Sequence, residues 1–177
     1  MTGPNGKKFV LPQNTNDFNY VFFATGTGVA PFRAMWLELL EKQVQSQVAM
    51  IFGTPYRTDL LYHELFEESS IENDNFHYLY SISREGLRSD GSRNHVQYQI
   101  TDSNDQLGSI LGAPNTLIYV CGIKGMELGI YRQLALEGYT EYMRIDEEIA
   151  QKPATEWSYD DLKKKVRPSS RLFLEVY

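Results

Sequence analysis

The chain has 177 residues, enough for one domain with a sizeable core. Hydrophobic residues make up 42% and charged residues 23%, an ordinary globular balance, and no apolar run is long enough to span a membrane. The 17 Lys and Arg against 23 Asp and Glu leave a net charge of −6, which argues against a general nucleic-acid binder because phosphate contacts need clustered cations. The opening segment MTGPNGKKFVLP lacks the apolar core of a signal peptide. A single cysteine, Cys121, rules out an internal disulfide and suits a reducing compartment such as the cytoplasm.

In chain order, YVFFATG at 20–26 reads as a buried strand. A helix follows from about residue 30 to 42, with Phe32, Met35, Trp36, Leu39 and Leu40 on one face at spacings of three and four. QVAMIFG at 47–53 is a second strand and 58–69 a second helix; FHYLYSIS at 76–83 is a third strand and 94–111 a third helix. NTLIYVCG at 115–122 is a fourth strand, 124–138 and 155–166 are helices, and RLFLEVY at 171–177 is a last strand. Strands alternating with helices predict an α/β fold: an open parallel twisted sheet of about five strands with helices on both faces, a Rossmann-like three-layer sandwich. Ligands of such sheets sit beyond the carboxyl ends of the strands.

The first strand ends in Thr25, Gly26, Thr27 and Gly28. Two glycines permit a tight turn and close backbone approach, and the following helix points its N-terminal amides at that turn. Pro31 fits a first helical turn, where its missing N–H costs little. The turn reads as a pyrophosphate cradle or as a plain strand-to-helix connection. An NAD site needs an acid near the end of the second strand to bond the ribose 2′-hydroxyl, and here that strand ends IFGTP. The third strand leads instead into Ser83, Arg84, Arg88 and Arg93. A hydroxyl and planar guanidinium groups suit a phosphomonoester, which favours NADP over NAD; a polar loop with scattered arginines is the alternative. Cys121 lies at the ligand edge of the fourth strand, yet a lone cysteine is more often a small core residue. His63 and His77 have no metal-ligand spacing and read as structural or surface groups. The basic run DDLKKKVR at 160–167 reads as a solvated helix face that could meet an acidic partner.

FATGTGVAPFR, SISRE, YVCGIKGME and the final EVY together resemble the plant-type ferredoxin–NADP⁺ reductases, specifically their C-terminal NADP(H)-binding domain, in order and spacing. The resemblance implies that Thr25, Gly26, Thr27 and Gly28 line the pyrophosphate and nicotinamide region, and that Gly122 and Met126 also belong to the cofactor-binding set. It implies that Ser83 and Arg84 hold the 2′-phosphate. Cys121 would lie against the nicotinamide, Glu175 would stabilise charge or support proton movement, and Tyr177 would stack on the flavin until nicotinamide displaces it. Two positions depart from the family pattern: Arg93 stands where a second cationic phosphate ligand is usually Lys, and His95 stands where a tyrosine stacks on adenine. Gln97 keeps the family's glutamine near the adenine ribose.

The resemblance implies FAD as a second cofactor, bound by an N-terminal barrel with an Arg-x-Tyr-Ser motif that does not occur here. Residues 1–177 are therefore expected to form one NADP(H)-binding domain, with 1–17 the remnant of the connection from that barrel. The implied reaction is hydride transfer between NADP(H) and FAD, with one-electron exchange to ferredoxin or flavodoxin, in the cytoplasm or a plastid stroma. Such a domain by itself is expected to be inactive. The corresponding domain of a diflavin reductase shares GTG-x-APFR, but CGIKGME and a final tyrosine look plant-type. A non-catalytic nucleotide-binding module would have no need of Cys121, Glu175 and Tyr177.

Overall fold

The computed structural model describes residues 9–177. The elements in chain order are β1 (Asn19–Thr25), α1 (Val29–Glu41), β2 (Val48–Thr54), α2 (His63–Glu72), β3 (Phe76–Ile82), α3 (Gln99–Asp102), α4 (Asn104–Leu111) and β4 (Thr116–Gly122). There follow α5 (Met126–Leu136), β5 (Met143–Ile145), α6 (Glu147–Ala150), α7 (Tyr159–Lys165), β6 (Val166–Pro168) and β7 (Leu172–Val176). The main sheet has five strands in the order β3-β2-β1-β4-β7, and every pair is parallel.

The centre of that sheet is β1, whose residues Tyr20 to Ala24 are wholly buried. A strand covered on both faces must be apolar at every position, and YVFFA is. Its side chains then divide by the period of two. Tyr20, Phe22 and Ala24 enter the core under α1 and α2, where Phe22 stacks on Phe32 with ring centroids 4.9 Å apart. Val21 and Phe23 enter the opposite core with Ile100 of α3, Leu107 and Ile110 of α4, and Ile130 and Leu134 of α5. Trp36 is stacked on Phe76 at 4.0 Å, and its indole N–H donates to Ser69 Oγ at 2.9 Å, so its one polar atom is satisfied. Each such side chain contributes about 1.5–3 kcal/mol of burial.

Several helices differ from the spacing-based expectation, each for a local reason. The second starts at His63 because Tyr62 takes a left-handed φ of 59°. The expected 94–111 helix is a turn followed by α3 and α4, broken at Ser103, whose hydroxyl donates to Gln99 Oε1 at 2.7 Å. The 155–166 helix starts at Tyr159, because Ser158 and Asp161 form a reciprocal capping box. Hydrogen bonds from Ser158 and Lys165 hold the Asp161 carboxyl well below the usual carboxylate range. A small antiparallel pair, β5 with β6, lies outside the expected element set. Of the expected connection over residues 1–17, the first eight lie outside the described residues. Phe9 packs on Phe32 and Tyr119, and Tyr119 donates to the Val10 carbonyl at 3.0 Å.

From β1 the chain steps outward to β2 and β3, then returns to the other side of β1 for β4 and β7. The order reverses beside β1, and a crevice opens there beyond the carboxyl ends of the strands.

Candidate functional site

A cleft of about 560 Å³ occupies that crevice. One wall is the start of the glycine turn after β1, Thr25 and Gly26; Thr27 and Gly28 follow in the turn and do not line the cleft. Gly26 has φ +53° with open space at its Cβ position, so glycine is needed there for conformation. A Cβ on Gly28 would lie 2.3 Å from the Cys121 carbonyl oxygen, so glycine is needed there for space. The turn leads directly into α1, whose first-turn amides face the crevice end of the sheet.

The facing wall is the loop from β4 to α5. Thr25 joins the two: its hydroxyl lies 3.3 Å from Met126 Sδ, to which it donates, and it accepts from the Ile123 N–H at 3.0 Å. Gly122, at φ +151°, sits so close that a Cβ would fall 2.0 Å from Thr25 Oγ1. Thr25 therefore spends its hydroxyl on holding the cleft together, while Gly122 permits the contact. Lys124 and Gly125 complete this wall.

The far end of the cleft carries charge. Beyond the last β2–β3 pair, Ser83 N–H donates to the Thr54 carbonyl and Arg84 N–H to the Pro55 carbonyl, both at 2.9 Å, which fixes both residues on the sheet edge. The chain then doubles back through Gly86 and Gly91, at φ +113° and +80°, and Leu87 bridges Arg93. This return brings Arg93 and His95 to the same cleft as Ser83 and Arg84. Burial, followed by the Arg93 charge, lowers the His95 pKa and keeps its ring neutral. Gln97 lies over α5 where Gly129 leaves room, since a Cβ there would stand 3.0 Å from its amide carbon.

Three cations, Arg84, Arg93 and Lys124, line the cleft, and no carboxylate does so among the described residues. In a protein of net charge −6 this is a local reversal of sign. Arg88 is not part of it. Both terminal nitrogens of its guanidinium pair with Asp102, and the group rests 4.1 Å over the Tyr98 ring. Proximity in sequence therefore overstated the cation set, and Lys124, Asn94 and Ser81 were missed. Lys124 was legible from position alone, two residues past the end of β4; Ser81 and Asn94 carry no comparable signal.

Cys121, Glu175 and Tyr177 stand beside the cleft and do not line it. Cys121 is buried in the α1-side core and opposes Glu175 in the β4–β7 register. Burial, helped by the Glu175 charge, pushes its thiol up to about 11, so it is protonated at neutral pH. Tyr177 extends the ladder: its N–H donates to the Gly122 carbonyl at 3.0 Å, and its carbonyl accepts from Lys124 at 2.9 Å. Its ring is 63% exposed, with the phenol 2.8 Å from Thr27 Oγ1. His63 bonds Tyr78 and Glu67, and His77 bonds Gln47, in keeping with structural roles. On α7, Lys164 pairs with Asp160 and Lys165 with Glu148 and Asp161, as on a solvated face. No helix among the described residues is long and apolar enough to cross a membrane.

A doubly wound parallel sheet, a glycine turn opening a helix and a cationic far end together define a nucleotide-binding domain. The model of the oxidoreductase NAD-binding domain matches residues 22–131, and the chain belongs to that family. Among curated proteins it is similar to the ferredoxin–NADP reductase of Picosynechococcus, 34% identical over 100% of this chain and 42% of the relative. It is also similar to that of Synechocystis, at 35% over 84% and 38%, and to the chloroplastic leaf isozyme 1 of Arabidopsis thaliana, at 32% over 100% and 47%. The chain thus spans about half or less of the length of these relatives. Among solved structures, a mutant ferredoxin–NADP⁺ reductase of Plasmodium falciparum with 2′P-AMP superposes with TM-score 0.64 and 20% identity, over 96% of this chain and 57% of that one. At that identity the likeness shows the fold alone.

Proposed function

We propose that the chain is the NADP(H)-binding domain of a ferredoxin–NADP⁺ reductase-type flavoenzyme. It would support hydride transfer between NADP(H) and an FAD held by a separate barrel, with single electrons passing to ferredoxin or flavodoxin. Residues 1–17 would be the connection to that barrel, in a reducing compartment such as the cytoplasm or a plastid stroma. The observation that carries the reading is the cleft lining: three cations, a serine fixed on the sheet edge and, among the described residues, no carboxylate. A ribose 2′-hydroxyl wants an acceptor there; a 2′-phosphate wants donors and positive charge.

The order of chemistry along the cleft matches that of a dinucleotide phosphorylated on its adenosine ribose. Ser83, Arg84 and Arg93 would bind the 2′-phosphate, with His95 and Gln97 against the adenosine. Gly26, Thr27 and Gly28 would let the pyrophosphate approach the backbone at the start of α1, while Thr25, Gly122 and Met126 fix the opposing wall. Nicotinamide, when bound, would supply or accept the hydride. Cys121 would offer it a small, uncharged surface, since its thiol holds its proton at neutral pH. Glu175, beside Cys121 in register, would place a carboxylate where positive charge or a proton needs balancing. Tyr177, hydrogen-bonded to Thr27, would cover the turn until the dinucleotide or the flavin replaces that contact.

Calorimetric titration of the 177-residue chain with NADP⁺ and NAD⁺ tests this. A preference for NADP⁺ of roughly tenfold or more is expected from one charge-assisted phosphate contact. Equal affinities would overturn the assignment.

A further inference from the structure

Arg84 reaches the cleft from an exposed position, and a long exposed side chain gives up considerable rotamer freedom when it grips a ligand. What holds it in advance is therefore a question about its neighbours. In register, Gly53 opposes Ser81 and Thr54 opposes Ile82. The backbone bonds Thr54 to Ser83 and Pro55 to Arg84 past the end of that ladder, which sets Tyr56 beside Arg84. Tyr56 is extended, with φ −129° and ψ 153°. Its carbonyl accepts from Thr54 Oγ1 at 3.0 Å, which fixes the turn. The Arg84 guanidinium carbon lies 5.9 Å from the centroid of the Tyr56 ring. Tyr56 is 43% exposed, so core packing does not explain an aromatic side chain there.

We infer that Tyr56 is a positioning residue for 2′-phosphate recognition: its ring is a shelf that holds the Arg84 guanidinium toward the cleft before a ligand arrives. This rests on the NADP(H) reading above. The ring attracts the cation through its face and leaves the N–H edge free for phosphate oxygens. Tyr56 does not line the cleft, so it acts through Arg84 alone, and ligands without a 2′-phosphate should not sense it.

The test uses the full 177-residue chain, titrated with adenosine 2′,5′-bisphosphate and with 5′-AMP, which lacks the 2′-phosphate. Tyr56→Ala should weaken the bisphosphate about two- to fivefold, the range of an exposed cation–π contact, and leave 5′-AMP unchanged. Tyr56→Phe should keep the unmutated affinity, because the ring and not the hydroxyl does the holding. In an Arg84→Ala background, Tyr56→Ala should have no further effect. Loss of affinity for both ligands alike, or an undiminished effect without Arg84, would show that Tyr56 merely supports the loop and would overturn the inference. So would a bisphosphate affinity that ignores Tyr56→Ala while the unmutated chain still prefers the bisphosphate. Absence of that preference in the unmutated chain would instead remove the 2′-phosphate reading itself.

Discussion

The Cβ position of Gly28 lies 2.3 Å from the carbonyl oxygen of Cys121, inside the van der Waals contact of two backbones. Gly28 has ordinary helical angles, φ −62° and ψ −10°, so only space demands glycine there. Gly26 is the reverse, with a left-handed φ and nothing within 4 Å. Gly28→Ala should therefore push the turn off β4 and cost about 1–3 kcal/mol or more, as overpacking does. Gly26→Ala should cost only the left-handed penalty of about 1–2 kcal/mol. Thermal unfolding of both variants gives the order, and a larger loss at Gly26 would mean the turn lifts away from β4 freely.

Arg84 and Arg88 are four residues apart, yet only Arg84 faces the cleft. Arg84→Ala should weaken NADP⁺ about ten- to a hundredfold, at about 1.5–3 kcal/mol for a charge-assisted contact, and leave NAD⁺ nearly unchanged. Arg88→Ala breaks a partly exposed ion pair and should cost no more than about fivefold. Titration of both nucleotides into both variants separates the two roles. Equal losses would return Arg88 to the phosphate site.

That contrast marks where sequence reading stops. Continuous apolar runs such as YVFFA fixed the parallel sheet because a doubly buried strand admits little else. The glycine turn and the missing acid after β2 were legible because each rests on a short-range rule. The fate of Arg88 was not, since its partners Asp102 and Tyr98 come from beyond the loop. Thr25 was legible as a wall residue, but its bond to Met126 spans 101 positions. Helix starts slipped where one residue decides, at Tyr62 by its backbone angle and at Ser158 by its cap.

Two histidines, the half-buried His77 and the exposed His95, predict the acid limb of stability. Burial lowers the pKa of His77, and burial with the Arg93 charge lowers that of His95, from an ordinary 6.5. Well above pH 6.5 both are neutral folded or unfolded and contribute no slope. As pH falls from 6.5 toward the lowered folded values, the unfolded chain takes up more protons, so folding loses stability. Urea unfolding between pH 7.5 and 5 should show this decline, and the double variant His77→Gln/His95→Gln should flatten it relative to the parent. An unchanged slope would place the acid sensitivity in the carboxylates.

Tyr177 and Thr27 share a hydrogen bond of 2.8 Å between exposed hydroxyls, and this sets what the cleft offers each end of a dinucleotide. The adenosine end would meet a lined pocket with two arginines, two serines and an imidazole. The nicotinamide end would meet a turn held by the Tyr177 phenol, with no Phe, Tyr or Trp lining the cleft among the described residues. Binding energy should therefore come from the adenosine end. Adenosine 2′,5′-bisphosphate should bind the 177-residue chain within about 1 kcal/mol, or fivefold, of NADP⁺. Tyr177→Ser should change NADP⁺ affinity little, because an exposed hydroxyl pair is worth about 0.5–1.5 kcal/mol at most and water replaces it. In a protein that also carries the flavin domain, the same substitution should tighten NADP⁺ binding and slow turnover, since nicotinamide would occupy the vacated face and leave slowly. Calorimetry on both forms and steady-state kinetics on the longer one measure this. A strong preference for NADP⁺ over the bisphosphate in the shorter chain, or an unaltered longer one, would show that Tyr177 does not gate the nicotinamide site.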